Sequence, residues 1–258
     1  MPTPTSHLRI FPDASQLFHA AAAEIAQMIA NHNGERFRLV LSGGRTPEGV
    51  YQLLGTTFAD AIPWGKVELF WGDDRYVPHH HPASNFGMVR RSLLERVPIP
   101  PGQVHPIPTS AVSPTAAATA YEEMLRRVVG GQGEVPRFDL LLLGMGDDGH
   151  TASLFPGGDW LAEESAWVVA SRAPVPPHDR ITLTFPLLNA ARRTMILVTG
   201  ETKRPILQEI LDNPAAAATR YPIANLSPQG DDWLVDWVMD ELLHWGDGGL
   251  VVCVVVVF

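Results

Sequence analysis

One cysteine, Cys253, is all the chain carries. No disulfide can form within it, which suits a reducing, cytoplasmic compartment. Positive charge is also scarce: 19 lysines and arginines stand against 28 acids, a net charge of −9. That balance lacks the basic footprint of nucleic-acid binding, while leaving room for a local cationic pocket that takes a small anion. The conspicuous apolar run, Leu250 to Phe258, falls far short of the ~20 residues that span a bilayer. No membrane partner is expected. The N-terminus, Met1-Pro2-Thr3-Pro4-Thr5-Ser6-His7, has no basic stretch followed by an apolar one, so no signal peptide is expected. What is present is a globular composition, 45% hydrophobic and 18% charged over 258 residues, ample for a buried core.

The chain alternates short apolar strands with amphipathic helices. Asp13 caps a helix to Asn31, with Gln16 three residues on. Arg38–Leu41 is a strand, Ser42–Arg45 a turn, and Thr46-Pro47 opens a helix towards Leu54, with Thr46 as cap. Val67–Trp71 is a strand followed by a polar turn, Gly72–Arg75. Ser84–Arg96 is helical, Val97–Pro108 is proline-rich loop, and Ser113 caps a helix to Val129. Phe138–Leu143 is a continuous apolar strand of the kind buried on both faces. Strands follow at Trp167–Ala170, Ile181–Phe185 and Met195–Val198, then helices at Thr202–Leu211 and Asp231–His244. The expected fold is α/β: a single Rossmann-like domain, residues 1–243, with a mostly parallel sheet covered by helices on both faces. Residues 244–258 form an atypical apolar tail.

Three strand-to-loop segments carry chemistry. In Leu41-Ser42-Gly43-Gly44-Arg45-Thr46-Pro47, a strand ends, glycines expose N–H groups and a helix begins, an arrangement that favours an anion such as phosphate. It lacks the Gly-Lys-Ser/Thr of a nucleotide loop, and an ordinary capped turn is the plainer reading. In Trp71-Gly72-Asp73-Asp74-Arg75, Asp73 suits proton handling or sugar hydroxyls, and Arg75 suits phosphate or carboxylate. A solvated ion pair is the alternative there. The third segment, Gly144-Met145-Gly146-Asp147-Asp148-Gly149-His150, matches a dinucleotide fingerprint by letter. However, Phe155-Pro156-Gly157-Gly158 ends any helix too soon for one. His150 is placed for proton transfer, since an ordinary histidine titrates near pH ~6.5. Asp148 is a candidate to orient it, and a histidine merely bonded within its turn is the alternative. His79-His80-His81 reads as solvated loop rather than metal ligands, because no second ligand cluster stands at zinc-like spacing.

Together these segments resemble the 6-phosphogluconolactonase family, from the first helix to about Leu243. The matching stretches include Ser-Gly-Gly-Arg-Thr-Pro at 42–47, Trp-Gly-Asp-Asp-Arg-Tyr-Val-Pro at 71–78 and His-Pro-Ala-Ser-Asn-Phe-Gly-Met at 81–88. They continue with residues 144–156, Arg-Ile-Thr-Leu-Thr-Phe-Pro at 180–186 and Gly-Glu-Thr-Lys at 200–203. The resemblance implies a fold shared with glucosamine-6-phosphate deaminases and a substrate, 6-phospho-D-glucono-1,5-lactone, from the oxidative pentose phosphate pathway. It implies no metal and no cofactor, and a monomer or homodimer. By matching position, His150 is the general base, and Asp73 and Asp148 assist it. Gly43, Gly44, Arg45, Thr46, Arg75, Arg180 and Lys203 surround the phosphate and polar groups.

Asp74 stands where this family often has glutamate. The tail, ending Leu-Val-Val-Cys-Val-Val-Val-Val-Phe, departs from the family's usual ending and leaves an extra strand, an oligomer contact or an artefact open. The rival readings are a glucosamine-6-phosphate deaminase, a non-catalytic sugar-phosphate sensor and a nicotinamide oxidoreductase. The first expects a glutamate five residues after the histidine, where this chain has Phe155, and a tyrosine in place of Arg75. The sensor needs a DNA-binding module for which no room precedes Ser42, and the oxidoreductase needs the long helix that is missing after Gly149. No Gly-x-Ser-x-Gly nucleophile elbow occurs, which opposes acyl-enzyme chemistry.

Overall fold

The computed structural model describes residues 5–130, 135–227, 234–240 and 255–257. Local chemistry accounts for many of its elements. Helix α1, Ala14–Ala30, begins where the Asp13 carboxylate accepts hydrogen bonds from the backbone and side-chain amides of Gln16, at 2.8 and 3.0 Å. It buries Leu17, Ala21, Ile25 and Ile29 at helical spacing. Helices α3, Asn85–Ser92, and α4, Pro114–Val128, begin the same way on the hydroxyls of Ser84 and Ser113. Strands β2, Phe37–Leu41, β3, Val67–Trp71, and β6, Leu140–Gly144, are almost wholly buried and mostly apolar.

These strands join β1, Thr5–Phe11, β5, Val104–His105, β9, Arg193–Val198, β10, Leu234–Asp240, and β11, Val255–Val257. The sheet order is β11-β1-β10-β9-β6-β2-β3-β5, parallel throughout except where β11 runs against β1. Helix α1 packs on β1 and β10, and α2, Arg45–Leu54, on β6 and β9. From β2 the chain builds outwards through β3 to β5. It then returns to place β6 on the other side of β2 and builds the opposite way to β9 and β10. The strand order therefore reverses between β2 and β6, and open α/β sheets bind ligands in the crevice beyond the strand ends at such a point.

A second, antiparallel sheet of β4, Asp73–Arg75, β8, Asp179–Leu183, and β7, Val168–Arg172, in the order β4-β8-β7, hangs over that crevice. Gly72 joins the two sheets: its N–H donates to the Leu41 carbonyl at 2.9 Å, and its carbonyl accepts from Leu183 at 2.9 Å. Two buried tyrosines fix the strand ends beneath. The Tyr51 hydroxyl on α2 accepts from the Ser42 N–H and donates to the Ser42 carbonyl, both at 2.9 Å. The Tyr121 hydroxyl on α4 does the same for Trp71, at 2.8 and 3.1 Å.

Several expectations need correction. Gly72–Arg75 is not a plain turn, because Asp73–Arg75 pairs with β8 as strand β4. Within the expected helix Asp231–His244, Leu234–Asp240 is a strand between β1 and β9. Parallel neighbours on both sides supply its backbone partners. The other residues of that expected helix lie outside the described residues. Helix α2 starts at Arg45 from Gly44, not from a Thr46 cap, and the Thr46 hydroxyl instead meets that of Thr199 at 2.7 Å. Helix α3 stops at Ser92, whose hydroxyl bonds back to the Met88 carbonyl at 3.0 Å, a contact that bends helices. After a single 3-10 turn at Glu201–Lys203, the next long helix is Arg204–Asp212, because Pro205 fits only its first turn. The apolar tail contributes β11, and its remaining residues lie outside the described ones.

Candidate active site

At the switch point, the ends of β2 and β6 and the overhanging β4 and β8 enclose a cavity of about 180 Å³. Its lining includes Gly43, Gly44, Asp73, Arg75, His150 and Arg180, six of the residues singled out from sequence. A Cβ at position 43 would come within 2.0 Å of the Asn85 side-chain oxygen, so glycine there lets the Asn85 amide keep its place. A Cβ at position 146 would lie 2.0 Å from His150 Nδ1, so glycine there makes room for the imidazole. The β6 loop thus folds its backbone against the imidazole.

His150 Nδ1 lies 2.5 Å from Asp148 Oδ1, which also accepts from the His150 backbone N–H at 3.1 Å. Burial works to raise the Asp148 carboxyl, but the hydrogen bonds and charge of His150 outweigh it and hold the group below its ordinary value. A carboxylate on Nδ1 assigns the proton to that nitrogen and leaves the Nε2 lone pair for chemistry. Phe155 packs against the imidazole, ring centres 4.5 Å apart.

Asp73 is 6% exposed. Its Oδ2 accepts from the Ser153 hydroxyl at 2.6 Å, and its Oδ1 from the Asn85 amide at 3.3 Å. Asp74 is fully buried and serves the backbone, accepting from the N–H groups of Arg75, Asn85 and Phe86 at 2.8, 2.6 and 3.0 Å. Burial pushes its carboxyl up against those hydrogen bonds, and the charge of Asp73 adds to the rise. Asp74 is therefore the anchor of the α3 start rather than a group facing substrate.

Arg75 and Arg180 stand directly opposite each other across β4 and β8. Burial lowers the Arg180 pKa and the neighbouring Arg75 charge lowers it further, with Asp73 and Asp74 opposing. Like charges opposite one another are unfavourable in a sheet, and the Arg75 Nε is buried without a hydrogen-bond partner. Both facts fit an anion receptor.

The remaining expected site residues lie off the cavity lining. Arg45 is exposed at the start of α2, and Thr46 bonds Thr199. Lys203 Nζ pairs with Asp147 at 2.7 Å, and this contact, with the Thr202 hydroxyl, holds the Asp147 carboxyl below its ordinary value. Sequence reasoning assigned no role to Asn85 or Ser153, although both fall in stretches it singled out. Neither residue type announces chemistry alone; their partners come from β4. Ala152, which also lines the cavity, has a left-handed φ of 49°, rare outside glycine. Among the described residues, no group of three or more His, Cys, Asp or Glu is placed to hold a metal ion. Of the histidine run, His79 Nε2 contacts the Ile107 carbonyl at 2.8 Å and His81 Nδ1 accepts from Ala83 at 3.0 Å.

Known proteins resemble this chain in sequence and fold. The 6-phosphogluconolactonase of a Nostoc species is 41% identical over 203 residues, 78% of this chain and 82% of its own. That of Mycobacterium leprae is 36% identical over 246 residues, covering 92% and 96%. The structure of 6-phosphogluconolactonase from Trypanosoma cruzi superposes with a TM-score of 0.77 at 28% identity, covering 94% of this chain and 97% of that one. The family of glucosamine-6-phosphate isomerases/6-phosphogluconolactonase matches residues 12–235. Since that span contains every residue lining the cavity, from Ser42 to Arg180, as well as both strands that meet at the switch point, the chain belongs to the glucosamine-6-phosphate isomerase/6-phosphogluconolactonase family.

Proposed function

We propose that the chain hydrolyses 6-phospho-D-glucono-1,5-lactone to 6-phospho-D-gluconate, in the oxidative branch of the pentose phosphate pathway, as a cytoplasmic monomer or homodimer. The observation that carries this reading is a histidine oriented by Asp148 and facing a cavity that also holds two opposed guanidinium groups. His150 Nε2 takes a proton from water as the oxygen adds to the lactone carbonyl. The tetrahedral oxyanion then collapses with cleavage of the ring C–O bond. The imidazolium returns the proton to the departing ring oxygen, and the product is a hydroxy acid that ionises. Arg75 and Arg180 hold the phosphate, with N–H groups at the start of α2 close by, and this anchoring fixes the carbonyl against the base. Asp73 accepts hydrogen bonds from sugar hydroxyls.

Phe155 argues against deaminase chemistry. It occupies the place of that family's acid-base partner and packs on His150 with a ring that cannot move a proton. Among the described residues, no helix is long and apolar enough to cross a membrane.

The test generates the lactone in situ from glucose 6-phosphate and follows acid release over the spontaneous background. Acceleration that persists in EDTA and falls about 10²-fold or more in kcat for His150→Ala is expected. A well-folded wild type with no acceleration would overturn the reading, and ammonia release from glucosamine 6-phosphate would then be assayed.

A further inference from the structure

Asn85 is 1% exposed, and both ends of its amide are used. Its Oδ1 accepts from Arg75 Nη1 at 2.6 Å. Its Nδ2 donates to the Asp73 carbonyl at 2.9 Å and to the Asp73 carboxylate at 3.3 Å. These partners settle which end is which, because a guanidinium only donates and a carboxylate only accepts. The same side chain lies against Gly43, leaving no space there for a Cβ. One neutral amide therefore touches the glycine turn, the arginine and the aspartate of the cavity.

Asp73 and Arg75 lie two residues apart on β4, so their side chains project from the same face. Opposite charges so placed are expected to pair. Instead, Arg75 Nη1 is held by Asn85 and by the Ala83 carbonyl at 2.9 Å, while its buried Nε has no protein partner. A direct pair would neutralise the charge that attracts an anion and would occupy the carboxylate. We infer that Asn85 is a positioning residue that keeps Arg75 and Asp73 apart, hydrogen-bonding both while leaving both charges to the substrate. What the two charges act on rests on the lactonase reading.

Neutrality at position 85 is the essential property, and Asn85→Asp tests it with nearly the same shape. Its carboxylate would pair with Arg75 and crowd Asp73. At about pH 8, KM for the phosphorylated lactone should rise roughly tenfold or more, the scale of a lost hydrogen bond to a charged group. As the pH is lowered to about 4 and below, where an ordinary aspartyl carboxyl is half protonated or more, KM should move back towards wild type. Asn85→Ala should raise KM at every pH without recovery.

The experiment measures KM and kcat across that range for the three proteins. Their calorimetric affinity for 6-phosphogluconate is measured alongside, with thermal melts to confirm folding. A wild-type affinity in N85D at about pH 8 would overturn the spacer role. So would a loss in N85D that is the same at every pH, or one confined to kcat. Should N85D not fold, unchanged 6-phosphogluconate affinity in N85A overturns the role, and a weakened affinity with kcat largely kept supports it. A wild type that binds 6-phosphogluconate yet hydrolyses no lactone would count against the function, while the binding comparison would still judge Asn85.

Discussion

His150 uses its two ring nitrogens differently, and Asp148 sets which one stays free. Asp148→Asn replaces an acceptor with a group that can donate, so part of the population takes the other tautomer. We expect kcat to fall at least about tenfold with KM little changed, and steady-state kinetics on the lactone checks this. The same pair makes a pH prediction. The Asp148 pKa is depressed in the folded protein, so its stabilising contribution is present above the ordinary carboxylate value and is lost as the pH falls through the folded one. The Tm difference between wild type and D148N should be small, because Asp148 is partly exposed and screened. It should shrink further below about pH 4, as melting curves would show. At this scale much of the cavity lining, as a candidate site, was legible. Asp73, Arg75, His150 and Arg180 are residue types that advertise chemistry at strand ends, whereas Asn85 and Ser153 take their meaning from partners distant in the chain. Arg45, Thr46 and Lys203 were grouped with the phosphate residues by matching position, and the structure puts other contacts on two of them.

The elements most readily read from sequence were those with local signals. Asp13, Ser84 and Ser113 each start a helix with their own side chain, β6 is an apolar run and β3 is mostly apolar. Those missed owe their form to pairing across the fold. Residues 73–75 are polar and read as a turn until β8 is placed beside them. Strand β10 has apolar spacing compatible with a helix until β1 and β9 flank it. The tyrosines on α2 and α4 lend themselves to a test at this scale. Tyr51→Phe removes the partner of the Ser42 N–H and carbonyl, leaving both buried, and should cost about 1–3 kcal/mol in stability by denaturant unfolding. Because Ser42 leads into the glycine turn, KM should rise more than kcat falls. Tyr121→Phe should cost a similar amount.

Across the molecule, the site is assembled from chain segments near residues 42, 73, 85, 150 and 180, carried by two sheets that meet at Gly72. A ligand that occupies the cavity therefore ties the small sheet to the large one. Saturating 6-phosphogluconate, at about a hundred times its Kd, should add about 2.7 kcal/mol to stability. Amide exchange should slow both in the 42–46 turn and along β8. Protection confined to one of these would mean that the ligand does not bridge the sheets.

The tyrosine-capped strand ends bear on how tolerant this protein is to random change. Tyr51 and Tyr121 are fully buried on α2 and α4, yet each sets the point from which a cavity loop departs. In an unbiased library screened only for lost turnover, Tyr51 and Tyr121 would score alongside the cavity residues. A map of sensitive positions would outline the supports of the pocket as clearly as its walls.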